Sequence, residues 1–524
     1  MEAFFGLPSA MVVIFLLKMP RSHQQFQDFV KEQLQINYLK FGLSDLVLIN
    51  HKALASVWYS DLSKVNSIVA GCYSNTFGPI ARDPADMFRS LLLMEILHER
   101  SIDSWVNKMR SAPIFAILSG FLPNDVPGVG TFYDFIRRLW LASSTHLANK
   151  IRKPRHKPKK GKKKGEKSPV KRPGMVKRLV DRYIEQPPDF HSRPHDIFQK
   201  IFKECFVVPS AKHGILGDIS ALAIAGDGSS VRTGACRYGK LICDCRKKGI
   251  YKCHCSRKYS DPDASWGWDS YREEYYYGRT LYAFTAADSP YDLPVYLNFF
   301  KAYRHDSLAF VYSFFDFLNL NPEFKVAECL LDSAHDAYAI YKLLNHYDIA
   351  AFIDLNTHNE GSCSSKGSVS FTKEGLPICP AGHVMAYGGF CKGRQRHKWR
   401  CPKTRKKWSV ACNSPCSDSS YGRVFYTYEQ DNLRFFTRVP RRSALFKARY
   451  RRRTSVERTF KRMKEDYLLE RKTKTRSSCN WYFRAFSTAM CLHIDAWLNH
   501  LKVDKAVMEN LVLQWQAEVY SPAA

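Results

Sequence analysis

Apolar positions recur at helical spacing through residues 38–150 and turn strand-like after about residue 219. Asp83-Pro84 offers an N-cap followed by proline in the first turn, and Met87, Leu91, Leu92, Met94 and Leu97 then share a face. Ser101 can cap a turn carrying Ile102, Trp105 and Val106, and Thr131 with Asp134 matches a capping box ahead of Phe135, Ile136, Leu139 and Trp140. This segment reads as a helical bundle, which includes helix-turn-helix arrangements but is also common in proteins that never touch DNA. Further on, Ala221–Val231 is an apolar run broken by Asp227-Gly228, which reads as a strand turning into a second strand. Thr280–Thr285, Leu293–Asn298 and Val326–Leu331 read as further strands, with helices at Ser307–Leu318 and Ala337–Leu344. Helix and strand alternating after a block of strands predicts a mixed α/β layer fold.

Charge sharpens this picture. The 524 residues carry 80 Lys+Arg against 49 Asp+Glu, a net +31, and an excess of that size repels itself unless something acidic binds. Nucleic acid is the first candidate and anionic membrane the second. Arg152–Arg178 holds 14 Lys/Arg and one acid, Glu166, among four prolines, so it reads as a solvated basic linker with non-specific affinity for phosphate. The apolar stretch Met11–Leu17 falls short of the roughly 20 residues that span a bilayer. No basic residue precedes it, so a packing helix or an extension is expected there rather than a secretory signal.

Candidate chemistry lies in two acidic strand ends and one basic helix. Asp227 and Asp332 each close an apolar run, where a carboxylate can reach a sheet edge and bind a hard cation. Each also has an ordinary reading, Asp227 as a hairpin turn and Asp332 as a helix cap. In the stretch from 450 to 464, Tyr450, Arg453, Glu457 and Lys464 fall within an arc of about 60° on a helix. Val456, Phe460, Met463 and Tyr467 form a separate apolar stripe.

The spacing Tyr450-x2-Arg453-x3-Glu457-x6-Lys464 resembles the Y-R-E-K signature of bacterial insertion-sequence transposases of the DDE class. Asp227-Gly228 and Asp332-Ser-Ala-His-Asp336 resemble the first and second acidic motifs of that family, in the same order. Arg89-Ser-Leu-Leu-Leu, Ser104-Trp105 and the stretch Thr131–Trp140 resemble its helical N-terminal domain, so the likeness spans most of residues 45–490. The resemblance implies an α/β, ribonuclease-H-like catalytic domain over 181–500 and an all-helical, DNA-binding N-terminal domain over 38–150. A terminal extension (1–37), a basic linker (151–180) and a C-terminal helix or tail (501–524) complete that division. It further implies Asp227, Asp332 and Glu457 as an acidic triad holding Mg²⁺ or Mn²⁺, with Tyr450, Arg453 and Lys464 against DNA phosphates. The implied partners are double-stranded DNA, as terminal inverted repeats and target, and a second copy of the chain in a synaptic complex. The expected location is cytoplasmic and nucleoid-associated, with no membrane. A domesticated DNA-binding copy without catalysis and a metal-dependent nuclease unrelated to transposition are the competing readings.

Twelve of the 16 cysteines fall between Cys236 and Cys416, more clustered than small core residues would be. Cys243-x-Cys245-x7-Cys253-x-Cys255 offers four thiolates suited to tetrahedral Zn²⁺, with Cys236 and His254 as possible substitutes. A second insertion, about 360–425, holds Cys379, His383, Cys391, Cys401, Cys412 and Cys416, and resembles a zinc ribbon. Six candidates exceed four ligand positions; Cys379, Cys401, Cys412 and Cys416 are the set expected. Trp399 and Trp408 stand there among Lys and Arg, which suits stacking on an unpaired base, although ordinary packing is the commoner use of tryptophan.

Overall fold

The computed structural model describes residues 17, 20–74, 76–99, 101–142, 147–148, 173–188, 192–270, 272–356, 367–394, 396–404, 412–441, 443–470 and 475–521. The apolar stretch at 11–16, the basic run up to residue 172, and Arg405, Lys406, Lys407 and Trp408 lie outside the described residues.

Helices come first: α1 (His23–Asn37), α2 (His51–Trp58), α3 (Pro84–Ile96), α4 (Ile102–Ser111) and α5 (Val129–Arg138). Asp83 caps α3 by accepting from the N–H groups of Ala85 and Asp86, and Ser101 caps α4 in a reciprocal box with Ser104. The expected box at Thr131 does not form. Helix α5 begins one turn earlier, after extended Gly128, because Val129 packs on the core and draws the chain into the helix there. Helix α1 lies inside the segment expected as an extension, and buries Phe26, Val30 and Leu34 at four-residue spacing. Arg89 is likewise buried, over the Phe26 ring and paired with Asp86, so in this motif the cation serves packing.

The central sheet contains β1 (Leu222–Arg232), β2 (Ser265–Asp269), β3 (Glu274–Ala286), β4 (Pro294–Lys301), β5 (Val326–Leu331) and β6 (Ala350–Ile353). Its order is β2-β3-β1-β5-β6, with β4 also paired to β3. Strands β1, β5 and β6 run parallel; β3 is antiparallel to β1, β2 and β4. The Asp227-Gly228 pair is therefore no hairpin turn. It sits mid-strand in one uninterrupted β1, bonded to β3 through Asp227↔Ala283 and Gly228↔Tyr282. Glycine is needed because a Cβ on Gly228 would lie 2.2 Å from an Asp306 carboxylate oxygen, and one on Gly226 would lie 2.9 Å from the Tyr282 hydroxyl.

Helices cover both faces. On the glycine face lies α6 (Asp306–Leu320), whose Phe310 and Phe317 meet Phe284; α7 (Tyr338–His346) then links β5 to β6. On the Asp227 face lies α8 (Thr454–Lys461), tied down where Thr459 and Thr285 hydroxyls meet at 3.2 Å. The long buried helix α9 (Ser477–His500) and the terminal α10 (Lys505–Tyr520) join the two halves. Trp515 of α10 packs on Trp58 at 4.8 Å and accepts from Gln35 through its carbonyl, so the tail closes against the first helices. The main apolar core runs without a break from Phe26 to Trp515. An insertion before α8 carries β7 (Ala386–Cys391), β8 (Arg396–Arg400) and β9 (Val424–Tyr428) around a second, small core. Among the described residues no helix is long and apolar enough to cross a membrane.

Candidate metal centres

The parallel register decides where the acids stand. Gly226 of β1 pairs with Leu331 of β5, and Leu331 pairs with Ile353 of β6. The next residue in each chain segment is Asp227, Asp332 or Asp354, so three acidic residues stand at the same level of adjacent strands. Asp354 was not singled out from the sequence, yet Phe352-Ile353-Asp354 carries the same signal of an apolar strand ending in an acid. Glu457 comes from α8, where Val456, Thr459 and Phe460 are buried beneath it and its own side chain is half exposed.

Arg453 joins them. One of its guanidinium nitrogens donates to Glu457 at 2.6 Å, and another lies 3.9 Å from Asp227. Its positive charge also favours the ionised form of Asp332. With this cation between them, the oxygens of Asp227, Asp332 and Glu457 do not all lie within 4.8 Å of one another. Tyr450 stands beside Arg453, its ring 5.8 Å from the guanidinium, and stacks on Phe446. Lys464 is turned inward instead, donating to the Ser230 carbonyl at 2.6 Å and pairing with Glu470 at 3.2 Å. The straight helical arc expected from 450 to 464 is altered by a 3₁₀ turn at Arg451–Arg453 and a π turn at Arg462–Asp466, which rotate the two ends relative to Glu457.

Below the acids is a support layer that sequence spacing did not reveal. Fully buried His335 holds Asp332 through Nδ1 and meets the Tyr282 hydroxyl through Nε2 at 2.9 Å. Asp306, at the start of α6, lies under Gly228. Burial, then the charges of Asp332 and Asp306, push the Asp227 carboxyl up to about 7. Burial also acts to raise Asp332, but the hydrogen bond and charge of His335, with Arg453, overcome it and hold that carboxyl below its ordinary value. The two neighbours are thus driven apart: one readily protonated, one firmly ionised.

The first cysteine set is gathered as its spacing implied. The sulfurs of Cys243, Cys245, Cys253 and Cys255 all lie within 4.8 Å of one another. Two of the separations, Cys243–Cys253 at 3.6 Å and Cys245–Cys255 at 3.5 Å, are near the edge of about 3.8 Å that a tetrahedron of 2.3 Å Zn–S bonds requires. These four thiols could hold a metal such as zinc. Among the described residues no other group of three or more Cys, His, Asp or Glu ligand atoms is gathered this closely. In the second set Cys379 and Cys416 lie side by side, but Cys412 turns to the Ser414 carbonyl and Cys401 is buried under the β8 end, so the four do not converge. The apolar cluster of Leu376, Cys379, Met385 and Trp399 occupies the middle of that module instead. Trp399 is buried there, its indole donating to Thr427, so it packs rather than offering a stacking face.

No protein-family model matches this chain, and no curated protein resembles it significantly.

Proposed function

We propose that the chain is a DNA transposase of the DDE class that cleaves the ends of its own mobile element and joins them to target DNA. The observation that carries this reading is the register that sets Asp227 beside Asp332 while α8 brings Glu457 onto the same face, linked through Arg453. These residues are 105 and 125 positions apart in the chain, and no local structural need puts them together. A parallel trio, β1-β5-β6, extended on the β1 side by antiparallel strands in the order β2-β3-β1-β5-β6, supports the ribonuclease-H-like reading of the sheet.

In this reading Asp227, Asp332 and Glu457 hold Mg²⁺ or Mn²⁺, for which carboxylate oxygens are apt hard ligands. The bound cations supply an acidified nucleophile, water or a DNA 3′-hydroxyl, and charge stabilisation for the leaving oxygen. The chain's own residues prepare the site. His335 fixes the Asp332 carboxylate, and Arg453 offsets the charge of Asp227 and Glu457. Arg453 and Tyr450 are then placed to meet a DNA phosphate; Lys464 reaches one only by exchanging Glu470. DNA ends and target are the substrates, and two copies of the chain act together because two ends must be joined.

The test is Glu457→Gln, which keeps size and removes a ligand charge. Cleavage of labelled element ends should fall by orders of magnitude while gel-shift binding persists. Arg453→Ala should weaken binding and flatten its salt slope by about one unit. Undiminished cleavage by Glu457→Gln would remove the proposed mechanism.

A further inference from the structure

Strand alternation places four large rings on the same sheet face as Asp227. On β3, residues 283, 281, 279, 277 and 275 share a face, and Asp227 pairs with Ala283. Trp266 and Trp268 of β2 pair with Tyr277 and Tyr275 and so share it too. The cross-strand rings lie 5.6 Å and 4.8 Å apart. Trp266 is 42 % exposed, Trp268 53 % and Tyr275 71 %, an unusual display of aromatic surface at one hairpin.

Positive charge lies at the Trp266 end of this ladder, while Asp269 and Glu274 pair beyond its Trp268 end. The guanidinium of Arg237 lies 5.1 Å from the Trp266 ring and 4.8 Å from that of Tyr238. Between Cys236 and Lys258 the cysteine module carries eight Lys/Arg and one acid, Asp244. Cross-strand aromatic pairing alone would stabilise a hairpin. It requires neither this exposure nor this charge.

We propose that the Trp266–Tyr277 and Trp268–Tyr275 ladder, with Arg237, is a stacking platform for unpaired bases of single-stranded DNA. Positions two apart on a strand stand about 6.7 Å apart, close to twice the ~3.4 Å spacing of stacked bases, so a base fits between the two rows. The rings take the base faces, and the basic module takes the phosphates. This adds to the transposase reading but does not require it, because such binding needs neither the acidic triad nor a divalent ion.

Fluorescence anisotropy of the full chain with a mixed-sequence 20-mer, without divalent cations, provides the test. Trp266→Ala/Trp268→Ala should weaken single-strand binding by about tenfold or more, and leave the duplex of the same sequence within about twofold. Tyr275→Ala, at the most exposed ring, should weaken it several-fold, and Trp268→Phe should largely retain it. Zinc content and melting temperature establish that each variant is folded. Unchanged single-strand affinity in Tyr275→Ala and the double variant overturns the proposal, as does an equal loss for both DNA forms. Loss of self-association in sedimentation, with DNA affinity intact, assigns the face to a second copy of the chain and also overturns it. Failure of Glu457→Gln to affect cleavage would leave this binding result standing.

Discussion

The acidic face and the cysteine module both crowd like-charged ligands together, but they are built by opposite means. Asp227 and Asp332 are fixed by a sheet bonded on both sides of β1 and buried from Leu222 to Ala225, so their proximity follows from the fold. The four thiols lie on a loop in which residues 240–252 are almost all exposed and whose only regular structure is two-residue strands. No residue of that stretch is buried. A rigid frame can tolerate an empty, mutually repelling ligand set; a loop without a core needs its ligand set filled to have a shape. In the proposed reading the first region uses metal for chemistry, whereas the four thiols of the second could hold one for structure.

The largest effect should come from stripping metal. Thiolate zinc sites contribute on the order of 10–16 kcal/mol to the structure they close. Chelation should therefore abolish hydrogen-exchange protection across residues 236–258 and release about one zinc per chain, while the amides of β1 and β5 keep theirs. Cys253→Ser should reproduce the loss without chelator. Equal loss in both regions, or none in the loop, would break the distinction between them.

The same contrast explains what was legible in the sequence. The thiol set could be read from spacing because all four ligands lie within 13 residues and loop closure brings them together. Asp227 and Asp332 were legible as acids at apolar strands, though Asp227 resembled a hairpin turn until pairing with β3 and β5 proved continuous. Asp306, His335 and the inward turn of Lys464 were not. They depend on which helix packs under which glycine and on a π turn that periodicity cannot register. Cys379, Cys401, Cys412 and Cys416 are not gathered as closely as the first set, and spacing alone does not show that Cys379 packs with Leu376, Met385 and Trp399.

A smaller effect tests the tolerance of the acidic frame. Without divalent ions Asp227 keeps its proton up to about pH 7, against 3.8 ordinarily. The native state then binds more protons than the unfolded chain between these values, so this group's contribution is full below 3.8 and is lost as pH rises through about 7. Asp332, whose carboxyl is depressed, works the other way and loses its contribution as pH falls. Asp227→Asn should therefore stabilise the metal-free protein at pH 8 by on the order of 2 kcal/mol and change little at pH 4. Urea unfolding at the two pH values would decide it, and a destabilised variant at pH 8 would contradict the stated electrostatics.

Proton release should accompany metal entry at the same carboxylate. A cation at Asp227 must displace its proton below pH 7, so apparent Mn²⁺ affinity should rise by up to about tenfold per pH unit up to that point and then level. Calorimetry in buffers of different ionisation heat reads the proton count directly. At the cysteine module the count should be larger. Hydrogen bonds from the Cys245 backbone and the Cys253 thiol ease the first deprotonation, pushing Cys243 down to about 7, whereas bonding with Cys255 and Cys243 pushes Cys245 up to about 12. Zinc binding there must therefore expel several protons at neutral pH, and a single proton released at both sites would erase this difference.

The smallest expected change is the stability of Glu457→Gln, and its smallness is what makes the cleavage test readable. Glu457 is about half exposed, and its ion pair with Arg453 is an i, i+4 contact on a helix surface. Such pairs contribute about 0.3–0.5 kcal/mol. Losing it also frees Arg453 to move fully toward Asp227, which it already approaches at 3.9 Å, and this offsets part of the cost. The variant should unfold within about 0.5 kcal/mol of the parent, with β1 and α8 exchange unaltered. A loss of several kcal/mol would mean that Glu457 belongs to the frame rather than to its ligand set, and absent cleavage could then no longer be assigned to chemistry.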